Sequence, residues 1–146
     1  MRDSQLTQEI IGATIEVHRL LGPGLLESAY EECLARELTI RKIPYERQRP
    51  IPVVYKDLKL ECGYRVDFLV AGRIVVELKS VEALAPVHDA IVLTYLRLSG
   101  CMVGLLINFY VPLLKDGIKR FVFDPPTRPP EERTNTECTE EQRARR

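Results

Sequence analysis

Two carboxylates and a lysine stand out as residues able to do chemistry: Asp67 and, on the next strand, Glu77 and Lys79 in the stretch "RIVVELKSV". Its Ile and Val residues mark a half-buried strand, and alternation puts Ile74, Val76 and Leu78 on one face with Val75, Glu77 and Lys79 on the other. An acid and a base sharing a strand face are ordinarily a solvated pair worth little. The preceding segment, "RVDFLVAG", changes that reading. A two-residue turn at Ala71-Gly72 would put Asp67 opposite Val76, on the wrong face. A three-residue loop of Val70, Ala71 and Gly72, with Gly72 left-handed, pairs Leu69 with Arg73 and Asp67 with Val75. Asp67 and Glu77 then become diagonal neighbours, roughly 7 to 8 Å apart and within side-chain reach. The same parity gathers Val66, Phe68 and Val70 with Ile74, Val76 and Leu78, so the apolar pattern brings the acids together.

A third acid, Glu27, lies in "GPGLLESAY". Glu27, Tyr30, Leu34 and Leu38 follow helical spacing, which places Glu27 on or beside a stripe facing the sheet. The competing reading is an exposed Glu27 that simply favours the positive end of its helix. Three carboxylates and a lysine form a hard oxygen set suited to Mg²⁺ or Mn²⁺, without the His and Cys ligands zinc prefers.

The elements that must hold these residues follow from periodicity and punctuation. "TQEIIGATIEVHRLL" over residues 7–21 reads as a helix with Ile11, Ile15 and His18 at helical spacing, stopped by Gly22-Pro23-Gly24. A second helix covers 25–42. From Pro44 to Val81 the chain is rich in Val, Ile and Tyr with turns at Lys56-Asp57 and Ala71-Gly72, which predicts three antiparallel strands. Pro86 opens a helix that Gly100 closes, "CMVGLLINF" is a buried strand, and "GIKRFVF" adds an edge strand. The order α-α-β-β-β-α-β-β describes an α/β protein, a mixed β-sheet flanked by helices.

Composition sets the remaining bounds. The chain has 146 residues, 45% hydrophobic and 29% charged, which fits one globular domain. With 21 basic and 21 acidic residues it does not advertise nucleic-acid affinity through bulk charge. No stretch is long and apolar enough to suggest a membrane span, and "MRDSQLTQEI" lacks a signal-peptide core, so the expectation is a cytoplasmic protein. Cys33, Cys62, Cys101 and Cys138 show no zinc or disulfide spacing, and Cys33 and Cys101 read as small core residues. The expected domain covers 1–123. Residues 124–146 hold four of the ten prolines, six acids and five arginines, which predicts a disordered tail.

Asp67 followed by Glu77-Leu78-Lys79 resembles the D-x(n)-E-x-K signature of the PD-(D/E)xK nuclease superfamily. Gly24-Leu25-Leu26-Glu27-Ser28-Ala29-Tyr30 resembles the motif of its GxxExxY family, and "EVHRLLGPG", "LTYL" and "LINF" extend the likeness from about Ile10 to Val122. The resemblance implies a restriction-endonuclease-like fold and a metal-dependent nuclease hydrolysing phosphodiester bonds, in DNA more readily than RNA. Carried over by position, Asp67, Glu77 and the Leu78 carbonyl would hold Mg²⁺ or Mn²⁺, Glu27 would assist, and Lys79 would be the catalytic lysine. A free lysine is protonated at neutral pH, so an electrostatic role suits Lys79 better than that of a base.

Two positions depart from the pattern. Val66 replaces the proline before the aspartate, and Ile91 stands where relatives with Q-x-x-x-Y carry glutamine four residues before Tyr95. His88, Ile91 and Tyr95 share a helix face, and together with Tyr30 and His18 they are candidates for core packing, for support of the ligands or for substrate contact. The rival functional readings are a nucleic-acid or protein binding module with weak or absent catalysis, and a structural homodimer with surface charges.

Overall fold

The computed structural model describes residues 3–61 and 63–124, so Cys62, Cys138 and the expected tail beyond Asp124 lie outside the described residues. Helix α1 (Asp3–Leu21) buries Leu6, Ile10, Ala13, Val17 and His18. The packed stripe is centred on Ile10 and Val17, with the expected Ile11 partly buried at its edge, while Ile15 is 43% exposed. Small Ala13 and Thr14, whose hydroxyl donates back to the Ile10 and Ile11 carbonyls, occupy the packed side. Helix α2 (Glu27–Ile40) buries Tyr30, Leu34 and Leu38 as their spacing predicts. Helix α3 (Pro86–Ser99) starts on its proline and ends at a left-handed Gly100 with φ 76°.

The five-stranded sheet has the order β1 (Tyr45–Pro50), β4 (Arg65–Val70), β5 (Ile74–Lys79), β6 (Val103–Asn108), β7 (Ile118–Val122). β5 and β6 run parallel, as the α3 crossover between them requires, and every other pair is antiparallel. Between β1 and β4 the chain forms a separate hairpin, β2 (Val53–Tyr55) and β3 (Leu58–Leu60). The expected turn at Lys56-Asp57 is there, but each of the two strands flanking it breaks in two. The break follows Pro50 and includes Pro52, residues that cannot donate to a ladder.

Helices α1 and α2 cover one face of the sheet, packing on Phe68, Val70, Ile74, Val76, Leu78, Leu105 and Ile107. Helix α3 covers the other, with Val92 and Leu96 against Val75, Leu106 and Phe121. A Cβ on Gly104 would come within 2.9 Å of Val92 and 3.3 Å of Leu96, so glycine lets α3 lie close on β6. Cys101 is buried in the α3-side core and Cys33 packs at the edge of the other. Among the described residues no helix is long and apolar enough to cross a membrane.

The β4–β5 turn corrects the expected register. Val70 pairs with Ile74, Leu69 with Val75 and Phe68 with Val76, a shift of two residues that preserves parity. The cause is Ala71, which joins Gly72 at positive φ (53° and 67°) while the Arg73 N–H donates to the Val70 carbonyl. Continued one step, this register sets Asp67 directly opposite Glu77. The ladder stops there, and Val66 joins the core under α3 instead of the face shared by Phe68 and Val70.

Candidate active site

Where the β4–β5 ladder ends, side chains replace backbone partners. The Asp67 N–H donates to Glu77 Oε1 at 2.8 Å, and the Leu78 N–H donates to Asp67 Oδ2 at 2.8 Å. Each acid thus satisfies a backbone donor on the opposing strand, which locks both carboxyl groups into the gap between the strands. Glu77 is 5% exposed. Burial, then the neighbouring Asp67 charge, pushes its carboxyl up to about 8. Burial also raises Asp67, against the lowering effects of the Leu78 N–H and the Gln48 amide. Lys79 is half-buried and its charge lowers both acids.

The end of β5 is pinned from two sides. Asn108, opposite Lys79 in the parallel ladder, donates through Nδ2 to the Val81 carbonyl at 2.9 Å and accepts from the Val81 and Tyr110 N–H groups. From α2, the Glu27 carboxylate accepts the Ser80 N–H at 3.3 Å, and Ser80 Oγ donates to the Leu25 carbonyl at 3.0 Å. Glu27 is exposed in the first turn of α2, on the rim of a cleft of about 190 Å³ that it lines with Ser28, Glu31, Gln48, Asp67 and Leu78. Glu27 and Asp67 face the same cleft, yet among the described residues no three His, Cys, Asp or Glu side chains are gathered as a metal-ligand set. The donors that lie together are Asp67 and Glu77, with the Leu78 backbone between them.

Tyr30 belongs to the loop rather than the cleft. Its buried ring stacks on Phe109 at 4.2 Å and 7°, an arrangement worth about 0.5–1.5 kcal/mol beyond area burial. Its hydroxyl donates to the Gly22 carbonyl at 2.5 Å and accepts the Leu25 N–H at 3.1 Å. These bonds fasten the turn through Gly24, at φ 104°, that delivers Leu25 and Glu27 to Ser80. The spacing of Gly24, Glu27 and Tyr30 is thereby given a local mechanical meaning.

The other candidates separate. His18 is buried, with Nε2 2.9 Å from the Val111 carbonyl and its ring 6.3 Å from Phe109, the arrangement of a satisfied core histidine. His88 accepts the Ala85 N–H at Nδ1, 2.9 Å away, and caps α3. Tyr95 lies within electrostatic range of the acids: burial raises its pKa first, then the charges of Glu77 and Asp67. With Ile91, Val53, Tyr64, Ala90, Thr94 and Leu98 it lines an apolar cleft of about 340 Å³. Gln48, Glu31 and Asn108 are additions that the sequence reading missed. Asn108 carried a signal, a polar residue ending the apolar run "GLLIN". Gln48 and Glu31 carried none.

A family model of the PD-(D/E)XK nuclease superfamily matches residues 4–121, a span that takes in α2, the β4–β5 pair, α3 and β6. The chain belongs to the PD-(D/E)XK nuclease superfamily. Its five-stranded mixed sheet between helices accords with the restriction-endonuclease-like fold of that superfamily. PD-(D/E)XK nucleases typically use divalent metals and act on nucleic acid. Comparison with curated proteins and with solved structures gave no match.

Proposed function

We propose that this PD-(D/E)XK protein is a metal-dependent nuclease that hydrolyses phosphodiester bonds in nucleic acid, with DNA as the favoured substrate and the cytoplasm as its location. The observation that carries the proposal is the pairing of half-buried Asp67 with buried Glu77, in which desolvation and repulsion hold Glu77 up to about 8 at the end of two strands. Two hard oxygen donors forced together in this way fit a divalent cation, which offsets the repulsion that otherwise keeps a proton there. Held by Asp67, Glu77 and the Leu78 carbonyl with Glu27 at the rim, Mg²⁺ or Mn²⁺ would polarise the phosphate and make a bound water more acidic.

The remaining roles fall to side chains of this chain. Lys79, on the strand face of Glu77, supplies positive charge where the attacked phosphate becomes more anionic. Asn108 and Ser80 hold the end of β5 still, so that the lysine and the acids keep their spacing. Glu27, fixed by the Tyr30 buckle, adds a carboxylate oxygen on the α2 side of the cleft. This coupling of Gly24, Glu27 and Tyr30 to the site also supports the finer placement in the GxxExxY family.

The test is incubation of the purified protein with labelled single- and double-stranded DNA and RNA in Mg²⁺, Mn²⁺ or EDTA. Cleavage in metal that is lost in EDTA and in Asp67→Asn is the expected result. One observation favours a second reading, a binding module: Ile91 lines the apolar Tyr95 cleft, at the position where relatives with Q-x-x-x-Y carry glutamine. Nucleic-acid binding without cleavage in any metal, with cleavage gained by Ile91→Gln, would decide for that reading.

A further inference from the structure

Gln48 sits in the middle of β1, between Arg47, which pairs with Phe68, and Arg49, which pairs with Val66. By that register it faces Asp67. It is also the only residue of β1 among the non-glycines with positive φ, at 51°. A left-handed glutamine within a strand is strained, and such strain persists where the surroundings enforce it. Here the enforcing contacts are polar. The Gln48 Nε2 amide donates to Asp67 Oδ1 at 3.2 Å and also to Glu31 Oε1. Both partners are carboxylates, so only the NH₂ end of the amide can face them. Glu31 is itself fixed, because Arg47 Nη2 bonds its other oxygen at 2.8 Å and Glu32 at 2.7 Å. Helix α2 and strand β1 thus form a bracket whose last member is an amide on Asp67.

We propose that Gln48 is a positioning residue for Asp67: anchored by Glu31 and Arg47, it sets the plane in which the Asp67 carboxylate meets the cleft. The inference rests on the reading of Asp67 as a metal ligand and assigns the group that aims it. Asp67 then accepts one N–H on each oxygen, from Leu78 on Oδ2 and from Gln48 on Oδ1, and cannot rotate without losing both. Partners of this kind, one bond removed from a metal ligand, typically change metal affinity about 10–100-fold when removed.

Two variants separate positioning from folding. Gln48→Gly removes the amide and relieves the left-handed strain, whereas Gln48→Asn keeps an amide and tolerates that backbone but is one methylene too short to span Glu31 and Asp67. The expected result by calorimetry is Mn²⁺ binding weakened about 10–100-fold in both. In metal-free protein, NMR should show the Leu78 amide exchanging faster in both, because a freed Asp67 carboxylate releases it. Wild-type Mn²⁺ affinity in the variants, or unchanged Leu78 exchange, overturns the proposal. If the wild type binds no Mn²⁺, the metal reading of Asp67 fails by itself, and the exchange measurement still decides whether Gln48 orients that carboxylate.

Discussion

Asp67 and Glu77 hold each other across the end of a strand pair: the backbone N–H of Asp67 rests on Glu77 Oε1, and the two carboxyl groups lie close enough to interact directly. The arrangement opposes the ionisation of both. It is stable as a neutral-plus-anionic pair and becomes strained when the second proton leaves.

The sign of its pH dependence follows. Glu77 has an ordinary pKa of 4.5 and is raised to about 8 in the folded protein. Between those values the folded state binds the extra proton, so this contribution to stability is full below pH 4.5 and is lost as pH rises through about 8. Urea unfolding in EDTA should therefore show stability falling across that window, and Glu77→Gln should flatten the fall. A rise in wild-type stability over the same range would contradict the pairing.

Metal should reverse the penalty. Mn²⁺ titrated into the protein is expected to bind and to release protons at neutral pH, since the ligand must ionise. Asp67→Asn and Glu77→Gln should each weaken that binding strongly. Without metal Glu77→Gln should melt no lower than wild type, because the amide keeps an acceptor for the Asp67 N–H and cannot ionise. Asp67→Asn should melt lower, because one of its two acceptor oxygens becomes a donor facing the Leu78 or Gln48 N–H. Calorimetry and thermal melts read the two effects separately. Undiminished binding in both variants would remove these acids from any metal site.

Lys79 should separate chemistry from binding. Lys79→Ala is expected to keep the fold and most Mn²⁺ affinity while cleavage falls by roughly 10² to 10³, the usual scale for a positioned charge at a developing anion. Nucleic-acid affinity measured by anisotropy should change only modestly. Cleavage at the wild-type rate would assign the activity elsewhere.

Tyr30→Phe tests the buckle. It keeps the stack on Phe109 but strips the hydroxyl from the Gly22 carbonyl and Leu25 N–H, which should cost about 1–3 kcal/mol in urea unfolding. Because Leu25 and Glu27 reach Ser80 through that turn, cleavage should fall more than stability explains, and kcat more than KM. Proportionate losses would make Tyr30 a core residue only.

Parity was legible in the sequence and register was not. Alternation of Phe68 and Val70 against Ile74, Val76 and Leu78 fixes the faces along the paired part of β4 and β5, since a slip of one residue would expose the core, but it ends at Asp67, beyond which Val66 turns to the α3-side core. A slip of two leaves every face unchanged, and the choice fell to Ala71, whose left-handed backbone no residue-type rule anticipates. The same holds for Gln48, whose left-handed backbone its residue type does not signal. Helix α2 was readable because its apolar residues recur at 3.6-residue spacing. In α1, Ile11 and Ile15 offered a second stripe beside Ile10 and Val17, and only packing against the sheet selects between them. His18 and His88 could be named as candidates from type alone, but their partners, the Val111 carbonyl and Ala85 N–H, depend on the folded chain and its helix cap.

The arm formed by β2 and β3 leaves the main sheet just past Pro50, and the Ile51 N–H clasps its base by donating to the Tyr64 carbonyl at 2.8 Å. Beyond that clasp the strands bond to each other in a ladder of their own, so Gln48 and Asp67 are set by residues below it. Chain length in the arm is then nearly decoupled from the acids: loop-closure entropy grows only logarithmically, about 0.6 kcal/mol for each doubling. The arm between Val54 and Leu60 can therefore be lengthened, shortened or replaced while the spacing at the end of β5 stays as it is.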